Sequence, residues 1–116
     1  MFKYKTEVSK LPEVKVFTPD PYTDYRGTMW TFWEDHMDTP QSKISKFTRS
    51  RKNVLRGLHG DTETWKHITC VYGAFYLVVV DYREDSINYL NSVTFTLDDR
   101  NMKSVLVPPG YLNGHL

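Results

Sequence analysis

The feature that most restricts the fold is the lack of any helical stripe. Apolar residues nowhere recur at three- and four-residue spacing over a useful length; they come in short runs of strand-like composition. Candidate strands are Val14–Phe17, Thr28–Trp33, Lys43–Phe47, Val54–Leu58, Trp65–Tyr72, Ala74–Tyr82, Tyr89–Leu97 and Ser104–Val107. Turn-forming residues separate them, among them Thr18-Pro19-Asp20-Pro21, Tyr25-Arg26-Gly27, Asp38-Thr39-Pro40, Gly60-Asp61 and Asp98-Asp99-Arg100-Asn101. Many short strands at close spacing specify a sandwich or barrel, so residues 1–116 are expected to form one all-β domain. Trp65–Tyr72 and Ala74–Tyr82, separated by Gly73 alone, are expected to pair as a tight antiparallel hairpin. Leu77-Val78-Val79-Val80 lacks polar alternation and is expected to be buried on both faces. Ser104–Val107 and the Pro108-Pro109-Gly110 turn come only six residues before the end of the sequence. A barrel left there exposes strand edges, so the expectation is either an oligomer that covers them or a fragment of a longer protein.

Composition narrows the function classes. A formal net charge of +1 lacks the cationic excess of a nucleic-acid binder. No apolar run is long enough to span a membrane, and Met1 to Lys10 lacks the apolar centre of a signal peptide. The single cysteine, Cys70, has no partner for an internal disulfide. Together these point to a soluble cytoplasmic protein. Three Trp, eight Tyr and six Phe suit either a β-rich core or the stacking walls of a pocket for a sugar or base.

Chemistry concentrates in Arg49-Ser50-Arg51-Lys52-Asn53-Val54-Leu55-Arg56-Gly57-Leu58-His59-Gly60, where four cations lie within eight residues and a histidine follows. One reading is a solvated basic edge that discourages sheet-to-sheet pairing. The other is a diphosphate clamp leading to a general base, because guanidinium forks match phosphate oxygens in pairs and histidine titrates near neutrality.

Arg49-Ser50 followed by Val54-Leu55-Arg56-Gly57-Leu58-His59 resembles the signature of the dTDP-4-dehydrorhamnose 3,5-epimerases and their GDP-heptose relatives in the cupin superfamily. The likeness continues in order through Phe17-Thr18-Pro19-Asp20 with Asp24-Tyr25-Arg26-Gly27, Trp65-Lys66, Val80-Asp81-Tyr82-Arg83 and Val107-Pro108-Pro109-Gly110-Tyr111. Gly60-Asp61 with Thr64-Trp65-Lys66 is closer to the heptose-modifying branch.

The resemblance implies a cupin jelly-roll β-sandwich, a homodimer, and a substrate in which a nucleotide diphosphate carries a 4-keto sugar. It implies cofactor-independent epimerisation at C3, C5 or both. A C4 ketone acidifies the neighbouring hydrogens, so one base and one electrophile suffice for enolisation. His59 matches the family's base, and Lys66 the lysine that stabilises the enolate oxygen. Arg56 would hold the sugar or its phosphate. Arg26 matches an arginine that binds the diphosphate, often across a subunit interface, and Arg49 is assigned to phosphate. Asn113 stands where rhamnose-type enzymes carry a histidine and heptose-type relatives an asparagine; it is read as substrate-binding. Thr31 replaces a glutamate that rhamnose-type enzymes place near the nucleotide. The family's opposite-face tyrosine acid, and the carboxylate that orients its histidine, would both fall beyond Leu116.

Alternation places Arg56 and His59 on opposite faces unless the strand bulges, and Gly57 is the natural position for that. Lys66, Ile68 and Cys70 share a face, so His67 is expected to point away from Lys66 and Cys70 to be a small core residue. His36, in the acidic stretch 34–38, is expected to be solvated. Two other function classes compete. A metal-dependent cupin enzyme would gather His59, Asp61, Glu63 and His115. The third class is non-enzymatic: a cupin that binds a nucleotide-sugar without turning it over, or an inactive fragment that folds and does nothing.

Overall fold

The computed structural model describes residues 4–116, which form ten strands and, among the described residues, no helix. One sheet is ordered β1 (Tyr4–Val8), β2 (Lys15–Pro19), β9 (Ser104–Val107), β6 (Lys66–Thr69). The second is ordered β5 (Arg56–His59), β10 (Tyr111–His115), β7 (Ala74–Asp81), β8 (Ser92–Asp98), and every pairing within both is antiparallel. A separate hairpin is made by β3 (Tyr22–Asp24) and β4 (Gly27–Met29). The two larger sheets stack face to face as a cupin jelly roll, the all-β architecture expected from the strand pattern.

Alternate residues of facing strands build the core. Val16, Cys70, Val105 and Val107 from the first sheet meet Leu77, Val79, Leu97 and Tyr111 from the second, with Leu11 and Val14 closing one end. Each fully buried Val or Leu contributes roughly 1.5–3 kcal/mol of hydrophobic stabilisation. The outer face of the first sheet is covered too: Phe17 and Leu106 pack against Met37 and Trp33 of the segment after the β3–β4 hairpin. That layer decides which strand is buried on both faces. It is Ser104–Val107, every residue of which is buried. Leu77–Val80 instead alternates, with Leu77 and Val79 buried and Val78 and Val80 intermediate, because among the described residues no comparable apolar layer covers the second sheet.

The expected hairpin between Trp65–Tyr72 and Ala74–Tyr82 does not form. β6 pairs with β9 in one sheet, whereas β7 pairs with β8 and β10 in the other. A turn centred on glycine serves a corner between sheets as well as a hairpin. Here Gly73 adopts φ 80° and its N–H donates to Asp99, tying the corner to the neighbouring turn. Lys43–Phe47 is not a strand either. It has an alternating pattern but, among the described residues, no strand pairs with it, and all of its residues are exposed. Thr28–Trp33 contributes only Thr28 and Met29 to a strand, and Tyr89–Leu97 starts three residues late, at Ser92.

A buried ion pair fixes the end of the sandwich where β7 leaves and β10 begins. Asp81 is fully buried and accepts from the Arg83 backbone N–H, from Arg83 Nε and Nη2 at 3.0 Å each, and from Ser86 at 2.6 Å. The same guanidinium reaches Glu13 and the Tyr111 hydroxyl, both at 2.8 Å.

Candidate active site between the sheets

The interior row of β10 is identified by its partners. Tyr111, Asn113 and His115 stand opposite Asp81, Val79 and Leu77, each of which is fully buried. Residues directly opposite in an antiparallel pair point to the same face, so Asn113 and His115 face inward. On the other side of β10, Asn113 is opposite His59 and His115 is opposite Arg56, with a register shift between them. Two steps along β10 are therefore matched by three along β5. That extra residue is a bulge, and it lets Arg56 and His59 share a face despite their odd spacing. Gly57 makes it possible. Its φ is 104°, and a Cβ there would stand 2.6 Å from both the Asn113 carbonyl oxygen and the Gly114 Cα.

Lys66 enters from the opposite sheet. It lies across from Val107, and Ile68 across from Val105, so this row of β6 faces the core. Its ammonium crosses the interior and donates to Asn113 Oδ1 at 2.8 Å. β5 and β6 are edge strands of their respective sheets, so His59, Arg56, Lys66, Asn113 and His115 lie where the sandwich opens. The site has a wet side and a dry side: His59 and Arg56 are exposed, whereas Asn113 is 5% exposed.

The electrostatics follow from that placement. Burial holds the Lys66 ammonium below the usual lysine range, opposed by the Asp61 carboxylate. His115 is likewise held below the ordinary histidine range, first by burial and then by the positive fields of Arg56 and His59. Its ring lies tilted against Phe75, with 5.2 Å between centroids. Asp61 is held low by accepting from the Glu63 N–H and from the hydroxyl and N–H of Thr64. Its carboxylate shapes the turn from β5 to β6. The set His59, Asp61, Glu63 and His115 is not gathered for metal binding: among the described residues no group of three or more His, Cys, Asp or Glu could hold an ion.

The remaining sequence candidates lie at different removes. Ser50 accepts a hydrogen bond from Arg56 Nε at 3.0 Å, which brings the segment carrying Arg49 against Arg56. Arg26 stands apart at the tip of the β3–β4 hairpin, where it pairs with Asp24 at 2.5 Å and lies 5.9 Å from the centre of the Tyr25 ring. His67 is on the outer face, stacked on Phe32 at 4.2 Å and 2.7 Å from the Ser104 hydroxyl; burial pushes it down to about 4. Cys70 is buried in the core. In the sequence His115 is a candidate only as a metal ligand. Asn113 and His115 two apart signal one strand face, but the asparagine and glycine of Tyr111–His115 mask the strand that carries them.

Comparison with known proteins gives a consistent result. The family model described as dTDP-4-dehydrorhamnose 3,5-epimerase matches residues 8–116. The dTDP-4-dehydrorhamnose 3,5-epimerase of Escherichia coli K12 is 30% identical over 117 residues, covering 93% of this chain and 63% of that protein. The Legionella pneumophila epimerase solved in complex with dTDP-4-keto-L-rhamnose superposes with a TM-score of 0.90 at 25% identity, over 97% of this chain and 64% of that one. The Mycobacterium tuberculosis epimerase structure gives a TM-score of 0.83 at 31% identity, over 97% and 60%. The chain thus spans somewhat under two thirds of the length of these relatives.

Proposed function

The chain belongs to the dTDP-4-dehydrorhamnose 3,5-epimerase family, and from that premise we propose that it enolises a nucleotide-diphospho-4-keto sugar as a 3- and/or 5-epimerase. His59 is the base. Its imidazole takes the proton from the carbon beside the ketone, the C–H electron pair becomes the new C–C π bond, and the carbonyl π pair moves onto O4. Lys66 stabilises that oxygen, where charge develops in the transition state. Arg56 binds the sugar or its nearer phosphate, Arg49 and Arg26 bind phosphate, and Asn113 binds substrate. The ketone supplies its own electron sink, so enolisation needs no cofactor.

The observation that carries this reading is the convergence of two sheets on one residue. Lys66 from one sheet and His59 from the other both meet Asn113, by a hydrogen bond and by strand register respectively. A base and an electrophile brought from two sheets to one residue suit enolisation, which needs both at the same ketone.

Assembly as a homodimer belongs to the same proposal. Ile44, Phe47, Leu55 and Leu58 are 74%, 87%, 68% and 51% exposed along the segment leading into β5, an apolar surface suited to a second copy. Among the described residues the strands of the Arg26 hairpin pair only with each other, which suits a reach to a partner's site. Placement in the cytoplasm rests on the lone, buried thiol of Cys70; among the described residues no helix is long and apolar enough to cross a membrane.

The test is incubation of dTDP- and GDP-linked 4-keto sugars with the protein in deuterated water, following C3 and C5 by mass and NMR. Deuterium at either carbon is expected. Inverted configuration assigns full epimerisation, retained configuration assigns enolisation on one face, and no exchange with any such sugar overturns catalysis and leaves a binding domain.

A further inference from the structure

The Lys66–Asn113 contact determines which way a side-chain amide faces. An ammonium carries donors only, so the Asn113 atom 2.8 Å from Lys66 Nζ has to be oxygen. The amide nitrogen is thereby turned away from Lys66. It has no hydrogen-bond partner among the described residues, and it is not one of the fully enclosed unpaired atoms, so it keeps some contact with solvent. Asn113 itself is 5% exposed and stands opposite His59. A buried amide with a fixed orientation and an unpaired NH2 group beside a candidate base is a preorganised donor.

We propose that Asn113 completes an oxyanion site: its oxygen positions the Lys66 ammonium, and its free N–H donates to the substrate's C4 oxygen as charge develops there. The proposal rests on the enolisation reading above and assigns Asn113 a role in the transition state beyond substrate binding. The amide suits this task because it anchors the ammonium without neutralising it. A carboxylate in its place would hold Lys66 equally well, but would cancel the field meant for the enolate and offer no N–H. The other groups around Lys66 do not duplicate that role. Val107 across β9 is apolar, Asp61 on the preceding turn is turned toward Glu63 and Thr64, and His59 and Arg56 belong to the far strand.

Asn113→Asp is the informative variant because it preserves shape. Deuterium exchange into the 4-keto sugar is expected to fall about 100-fold or more in kcat, the usual loss for one oxyanion donor, with KM little changed. The new carboxylate favours the charged ammonium, so Lys66 should titrate at higher pH than in the wild type, followed by NMR of its side chain without substrate. The alkaline limb of the exchange profile should move the same way. Asn113→Ala, checked for folding by circular dichroism, should lose a comparable rate without that upward movement. A merely structural asparagine would leave exchange by Asn113→Ala within a few fold of wild type, since loss of a side chain that makes no transition-state contact leaves kcat nearly unchanged. Exchange by Asn113→Asp within about threefold of wild type, while His59→Ala is inactive, overturns the donor role and leaves the enolisation reading standing. A wild-type protein that exchanges no offered sugar overturns that reading and the donor with it.

Discussion

His67 and Asp81 show how single side chains tie stability to pH in opposite chemical ways. The His67 ring lies between aromatic neighbours on the outer face, and burial lowers it from 6.5 to about 4. Between those values the unfolded chain binds a proton that the folded one refuses. This contribution is complete above about pH 6.5 and is lost as pH falls toward 4, amounting to roughly 3 kcal/mol at most. Urea denaturation from pH 7 to 4 should show the loss, and His67→Gln should flatten it. Asp81 is lowered to about 2, chiefly by its hydrogen bonds with Arg83. Its contribution persists above the ordinary aspartate range and is lost only as pH falls through that range toward 2. Asp81→Asn weakens a buried pair and should cost roughly 3 kcal/mol, read as a lower urea midpoint at unchanged slope. His67 was legible from alternation, since Lys66 and His67 had to face opposite ways. The role of Arg83 was not, because its partners Glu13 and Tyr111 lie far away in sequence.

Among the elements, β5 and β10 decide whether there is a site at all. The bulge at Gly57 was legible because Arg56 and His59 cannot share a face of a regular strand, and glycine marked where regularity fails. β10 was not legible. Tyr111-Leu112-Asn113-Gly114-His115 carries asparagine and glycine, both poor strand formers, and becomes a central strand because β5 and β7 pair with its two edges. The same limit explains the misread corner at Gly73: local turn chemistry does not reveal whether the next strand stays in the sheet or crosses to the other. Burial of Ser104–Val107 on both faces depended on a distant segment, Trp33 to Met37, folding over the sheet. Gly57→Ala tests the bulge. The side chain meets backbone atoms at 2.6 Å in a left-handed conformation, so the variant should lose roughly 1–3 kcal/mol of stability. It should also impair deuterium exchange by shifting His59 against Asn113. Unchanged melting and unchanged exchange would show that β5 tolerates a regular register.

The whole molecule is a jelly roll tied at one end by the Asp81–Arg83 network, with the proposed chemistry at its edge strands β5 and β6. Its exposed apolar segment before β5 and its isolated Arg26 hairpin both lie outside the packed core. Sedimentation at tens of micromolar should therefore give a dimer (a concentration typical of moderate protein–protein affinities), and Phe47→Asp should shift it toward monomer. A stable wild-type monomer would remove the basis for a site shared between copies. The proposed chemistry turns on His59 acting as the base. The most direct test compares solvent-deuterium exchange into a nucleotide-diphospho-4-keto sugar by wild type, His59→Ala and Cys70→Ala under identical conditions. A general base contributes ~100- to 10,000-fold, so His59→Ala should fall by that order while Cys70→Ala, altered only in the core, stays near wild type. Exchange by His59→Ala at the wild-type rate would contradict the account and place the base elsewhere.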